Sequence, residues 1–203
     1  MSRLTQPAIH LVHTRSQRKI PSNKRQRILD AARQIVVEEG TDKLTIERVV
    51  EVSGVSRGRF NYHFRSRQDL IRALAEAYAD HLSDVQTQMT QASQGQTDPY
   101  LAGYERWYRE FSNNTLDKGQ SPLLSLITAS RENAKYIEPV RAWYREHFET
   151  LSASPCGELT ALFLSFAYDG LFFHKLFGLN ELTPEKREAL LAFMHELAQE
   201  PKK

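Results

Sequence analysis

Residues 45–64 read TIERVVEVSGVSRGRFNYHF, and this stretch decides the architecture. Thr45 is a good helix N-cap, and Leu44 before it can staple onto Val49, so a helix is expected to begin at Ile46. Ile46, Val49 and Val50 form its apolar stripe. Ser53-Gly54 stops it, because glycine accepts the left-handed geometry of a helix C-terminus. Ser56 can then cap a second helix, with Val55 stapled to Phe60. In that second helix Phe60 and Phe64 share one face at i,i+4 spacing. Arg57, Gly58, Arg59, Asn61 and Tyr62 are left for the outside or the edges. Two capped helices around a glycine turn make a helix-turn-helix, and its outward face has the right chemistry for a DNA major groove.

Charge is distributed to match. Residues 1–67 hold 14 lysines and arginines against 6 acidic residues, while residues 68–203 hold 13 against 19, so a basic end precedes an acidic remainder. With 203 residues and 40% apolar side chains, the chain can bury a real core in one domain or two small ones. A single cysteine, Cys156, excludes an intrachain disulfide and a cysteine-based zinc cluster. The N-terminus lacks signal-peptide design, and the most apolar stretch, 159–173, is interrupted by Asp169 and is shorter than the ~20 residues needed to span a bilayer. A cytoplasmic protein without membrane attachment is expected.

Residues 1–23 read as a mobile basic tail carrying Arg3, Arg15, Arg18 and Lys19, either an arm for a minor groove or a solvated charged segment. His10 and His13 lack the carboxylate or cysteine company of a metal site, and no metal or cofactor is assigned. Lys24 to Glu39 is a helix with Ile28, Ala32, Ile35 and Val36 on one face and Gly40 as its stop. Lys24, Arg25 and Arg27 crowd its N-terminus, where the helix dipole disfavours positive charge, and an external anion such as a phosphate would compensate.

Helix 24–39, Thr45, the SGVSRGRF turn and the run NYHFRSRQDLI together resemble the TetR family of bacterial transcriptional regulators, over about residues 24–70. The resemblance implies an all-α fold. A three-helix helix-turn-helix domain, residues 24–68, would precede a helical ligand-binding and dimerisation domain, residues 69–203. It implies that Thr45, His63 and Arg67 contact phosphates, that Arg57, Gly58 and Arg59 lie near base edges, and that Tyr62 packs on the DNA backbone. Asn61 stands where the family often has a phosphate-contacting tyrosine, Arg67 where lysine is usual, and Val50 where alanine is usual. Asparagine can donate to phosphate or pair with adenine, which shifts the expected sequence preference.

Beyond Arg67 a long helix carries Leu70, Ile71, Leu74, Ala75, Tyr78 and Leu82, with Asp80 and Asp84 on its polar side, and the domain boundary is expected along it. Residues 86–96 are polar and glutamine-rich and read as a frayed end and loop. Asp98-Pro99, Ser121-Pro122, Glu138-Pro139 and Thr183-Pro184 each open a further helix. The segment 157–177 is apolar on two faces, one with Leu159, Leu162, Phe166, Gly170 and Phe173, the other with Ala161, Leu164, Tyr168 and Leu171. Such a helix must be buried nearly all round. It and the last helix, with Leu190, Phe193, Met194 and Leu197, are the expected homodimer surface, and Leu164 is expected at the interface.

Trp107, Tyr108, Phe111, Trp143, Tyr144, Phe166 and Phe173 sit at ordinary core spacing but are numerous enough to line a ligand cavity, with Asp169 as a costly buried carboxylate inside it. A hydrogen bond to a neighbouring helix end or an arginine is the plainer use of Asp169. No catalytic constellation is evident: His174 and Asp169 lack a nucleophile, and Cys156 lacks an activating partner. The expected function is a ligand-responsive repressor that binds a palindromic double-stranded DNA operator as a homodimer and is released by a small, mostly apolar effector. A constitutive DNA-binding protein and an enzyme on a helical bundle are the alternatives.

Overall fold

The computed structural model describes residues 24–113, 126–127, 133–179 and 182–200. Among them the chain is all-α, in eight helices: α1 Lys24–Glu38, α2 Ile46–Ser53, α3 Arg57–His63, α4 Arg67–Ala92, α5 Pro99–Asn113, α6 Glu138–Leu151, α7 Glu158–Leu176 and α8 Pro184–Gln199. The basic tail, with His10 and His13, and Ser121 to Leu124 of the helix expected there lie outside the described residues.

The first three helices close on one core. Ile28, Ala32, Ile35, Leu44, Val49 and Phe60 are almost fully buried, and Phe64 meets Phe60 at 5.9 Å between ring centroids. Local chemistry sets each boundary: Thr45 Oγ1 accepts from Arg48 N at 3.1 Å, Ser56 Oγ accepts from Arg59 N at 3.4 Å, and Gly54 stops α2 at φ 63°. Two arginines then bolt the unit together. Arg27 Nη2 on α1 donates to the Ser53 carbonyl at 2.6 Å, at the negative end of α2. Arg67, on the first turn of α4, donates from Nε to Leu44 O at 2.9 Å and from Nη2 to Thr41 O at 3.0 Å, fixing the chain that leads into α2. Arg25 lies over the Phe64 ring at 5.4 Å. The crowded charge at the start of α1 is thus partly met from within: two of its three cations have partners in the protein.

α4 continues through the stretch expected to fray. Val85, Gln86 and Met89 are buried, because α5 packs directly against them. Gln86 Nε2 donates to Tyr100 O at 3.0 Å, so an amide that looks solvated in the sequence is spent on a neighbouring helix. Gly103 makes the approach possible: a Cβ there would lie 2.7 Å from Thr90 N and 2.9 Å from Met89 C, backbone atoms that cannot swing away. Asp98 caps α5 through Leu101 N at 2.9 Å.

A second core gathers Leu101, Tyr104, Tyr108, Trp143, Leu151, Leu164, Tyr168, Leu191 and Met194 from α5 to α8. Tyr78 of α4 packs against both cores, whereas Leu70, Ile71, Ala73 and Ala75 belong to the first. Leu164 is fully buried inside the protomer, so it is core and not outer surface. The reason is register: Ala161, Leu164, Tyr168 and Phe172 face α5 and α6, which turns Leu159 (81% exposed), Phe163 (56%) and Phe166 (58%) outward. α8 divides likewise, with Leu191 and Met194 inward and Leu190 and Phe193 exposed.

Candidate nucleic-acid interface and effector cavity

The helix-turn-helix presents a continuous polar surface. Arg57, Gly58, Arg59, Asn61 and Tyr62 are all exposed, Tyr62 by 78%, while Phe60 from the same helix is fully buried and anchors it. A side chain at Gly58 would meet no atom within 4 Å, so the middle of α3 is open to close approach. Arg57 Nη1 reaches back to Glu47 Oε1 at 2.5 Å, and this pairing holds the Glu47 carboxyl below its usual range. Arg59 makes no ion pair among the described residues and is the freer of the two. His63 is half-buried with its ring edge-on to Tyr62 at 5.0 Å. Thr45 Oγ1 already accepts from Arg48 N, which leaves its O–H proton to donate outward. Arg48 is tied up between Glu39, at 2.7 Å, and Glu51, at 2.9 Å. Arg67 spends Nε and Nη2 on backbone carbonyls, so its first task is internal.

In the second core four helices surround a small cavity of about 30 Å³, room for a water or two, which a ligand would have to widen on entry. α4 contributes Tyr78, Leu82, Val85 and Gln86; α5 Tyr104 and Trp107; α6 Val140, Trp143 and Tyr144; α7 Asp169 and Phe172. Four of the eight residues expected to line a cavity meet here: Trp107, Trp143, Tyr144 and Asp169. The others do not border it. Tyr108 is sunk against Tyr168, Phe111 lies behind Phe172 at 4.7 Å, Phe166 packs outside on Phe148, and Phe173 stacks on Phe177. Helical periodicity marks aromatic residues as buried but not which side of a core they face, and so it missed Tyr78, Tyr104 and Phe172. The polar sequence around Gln86 hid that α4 forms a wall. The one available signal was Gly103, a glycine inside an aromatic helix, which marks close backbone approach.

Asp169, 8% exposed, is satisfied by phenols: Tyr104 Oη donates to Oδ1 at 2.5 Å and Tyr144 Oη to Oδ2 at 3.3 Å. Burial pushes the Asp169 carboxyl up, against the two hydrogen bonds that lower it. Burial and the adjacent carboxylate push both phenols up, so they stay neutral donors. Behind Trp143 lies His147, absent from the sequence reading. Its ring stacks on the indole at 5.1 Å, with Tyr100 Oη 2.8 Å from Nδ1 and Ser165 Oγ 2.9 Å from Nε2. Burial lowers its pKa to about 4, so it is neutral near pH 7. Among the described residues no helix is long and apolar enough to cross a membrane.

Comparison with known proteins agrees at both ends of the chain. The family model for the N-terminal part of bacterial regulatory proteins of the tetR family matches residues 28–74, and that for a tetracyclin repressor-like C-terminal domain matches residues 105–199. The protein AcnR of Corynebacterium glutamicum, an HTH-type transcriptional repressor, is 38% identical over 65 residues, 32% of this chain. That match spans about a third of the relative's own length, 35%. Among solved structures, SCO4454, a TetR-family transcriptional regulator of Streptomyces coelicolor, superposes with a TM-score of 0.69 at 18% identity, over 89% of this chain and 96% of that one. The multidrug binding protein EbrR complexed with ethidium gives 0.61 at 22% identity, over 88% and 99%. With its two family models together spanning most of the described residues and the fold shared over most of the chain's length, the chain belongs to the TetR family of bacterial regulatory proteins.

Proposed function

We propose that this regulator is a homodimeric repressor whose α3 enters the major groove of a palindromic operator and whose cavity takes a small effector that lowers operator affinity. The observation that carries the first half is the face of α3: five exposed residues, two of them arginines, on a helix anchored by Phe60 and by the caps at Thr45 and Ser56. Arg59 reads base edges and Arg57 joins it on leaving Glu47; Thr45, Asn61, Tyr62 and His63 meet the DNA backbone, and Gly58 allows close approach. Arg67 holds α2 in place and borders the same phosphates. The named repressors among its relatives support this assignment.

Dimerisation is supported by the outward apolar side chains of α7 and α8. Left in water, each of these half-exposed phenylalanines forgoes about 1–1.5 kcal/mol of burial, and Phe163, Phe166 and Phe193 lie on two packed helices. A two-fold pairing through them places two recognition helices on half-sites about 34–36 Å apart. An effector is supported by the aromatic cavity beside α4, the helix that also carries Arg67, and by the ligand complex of EbrR, a protein of the same fold. Because α4 joins both regions, a ligand that prefers one tilt of α4 shifts the spacing of the two α3 helices. The test is selection of bound sequences from random duplex DNA by the wild-type chain and by Arg59→Ala. A palindromic consensus that loses definition at one symmetric position in the variant is expected; no consensus from the wild type overturns the proposal.

A further inference from the structure

Taking the effector reading as its starting point, the chemistry of the cavity wall narrows what the ligand can be. Among the described residues, six of the eleven that line the space are aromatic, Asp169 is the one acidic side chain, and no lysine, arginine or histidine borders it. The basic groups nearby are committed elsewhere. Lys175 donates to Phe111 O at 3.2 Å, and Arg109 pairs with Glu105 at 2.8 Å and Glu188 at 3.2 Å.

Asp169 therefore receives its hydrogen bonds from two neutral phenols, and they serve its oxygens unequally. Oδ1 is bound closely by Tyr104, whereas Tyr144 stands 3.3 Å from Oδ2, well beyond the ordinary O–H···O distance of about 2.7–2.8 Å. A buried carboxylate with one weakly served oxygen at the edge of a cavity is an incomplete arrangement. Around it, Tyr104 and Trp107 stack at 5.3 Å, and Trp143 stands edge-on to Tyr144 at 5.0 Å. Electron-rich rings attract cations, and more strongly where water is displaced. An anionic ligand would face the carboxylate with no counter-charge, and a neutral one would bring at most a hydrogen bond to Oδ2 and leave its charge unmet.

We propose that the cavity selects a small organic cation, preferably flat or aromatic, whose charge meets Asp169 Oδ2 and whose body lies among Tyr104, Trp107 and Trp143. Tyr144 is the group it displaces or joins.

Trp107 and Trp143 are the chain's two tryptophans and both line the cavity, so their fluorescence reports occupancy directly. The full chain is titrated with benzyltrimethylammonium, with neutral benzyl alcohol and with anionic benzoate, while operator binding is followed in parallel. The cation is expected to bind at least about tenfold more tightly than the alcohol, and benzoate more weakly than either. Asp169→Asn should abolish that preference by weakening the cation far more than the alcohol. Tyr144→Phe, which frees Oδ2 while Tyr104 still holds Oδ1, should keep or strengthen it, and serves if Asp169→Asn does not fold. Equal affinity for cation and alcohol, a preference that survives Asp169→Asn, or weaker cation binding in Tyr144→Phe overturns the proposal, as does the failure of all three probes to bind. Operator release separates the two readings. A neutral probe that releases DNA while the cation does not bind removes the charge preference alone. A cation that binds with Asp169-dependent selectivity and leaves operator affinity unchanged removes the effector role alone.

Discussion

An arginine on the outward face of α3 and one on the first turn of α4 lose different things when cut back to alanine. Arg59 has no internal ion pair among the described residues, so Arg59→Ala should leave thermal stability nearly unchanged and cost about 1–3 kcal/mol of discrimination at one base position, read by binding to single-substitution operators. Arg67 bonds two backbone carbonyls, at Leu44 and Thr41, both residues buried. Arg67→Ala should lower unfolding stability by about 1–3 kcal/mol and weaken all DNA sequences alike. A stable Arg67→Ala chain would mean that the carbonyls find water at no cost. His147 gives a pH test. Its pKa is lowered in the fold to about 4 from an unfolded value near 6.5, so its contribution is fully present above pH ~6.5 and is lost as pH falls toward 4. His147→Gln should flatten the stability profile in that window by up to about 3 kcal/mol, measured by denaturant melts, while melts at pH 7.5 report only the change in packing.

At the scale of elements, the termini of the first helices were readable because each is written in a few adjacent residues: Thr45, Gly54 and Ser56 do locally what their side chains do in any chain. The end of α4 was not. Gln86 to Ala92 is helical because α5 lies on it, and that contact joins Thr90 to Gly103, thirteen residues apart, through a missing Cβ. Gly103→Ala should therefore destabilise the fold by about 1–3 kcal/mol although alanine favours helix, as expected of overpacking. The faces of α7 show the same limit. Two apolar faces were legible, but which one meets the protomer's own core depends on where α5 and α6 dock, and Leu164 proved to lie on the inner one. The interface test accordingly moves outward. Phe163→Glu or Phe166→Glu should give folded chains that sediment as monomers and lose operator affinity even with Arg59 intact, whereas Leu164→Glu should fail to fold.

For the whole molecule, the proposed coupling between cavity and DNA would be a single free energy seen from two sides. If an effector lowers operator affinity by some factor, saturating operator DNA must lower effector affinity by the same factor, which paired titrations of tryptophan fluorescence and DNA binding will measure. Unequal factors would require a further state or a second site. The cavity itself was only half legible, since Trp107, Trp143, Tyr144 and Asp169 border it while Tyr108, Phe111, Phe166 and Phe173 are packed away from it; aromatic content announces a core, and only the docking of four helices decides where that core leaves room. Tyr78, which touches both cores, lies eleven residues along α4 from Arg67. At 1.5 Å per residue that is a lever arm of about 16 Å, so a rotation of about 5° pivoting at Tyr78 would carry the Arg67 end through roughly 1.4 Å. Two such arms in a symmetric pair would add their strokes. A phenol lodged at such a fulcrum would set the gearing, and a smaller residue at position 78, which also borders the cavity, would introduce backlash, with DNA release incomplete even when effector saturates.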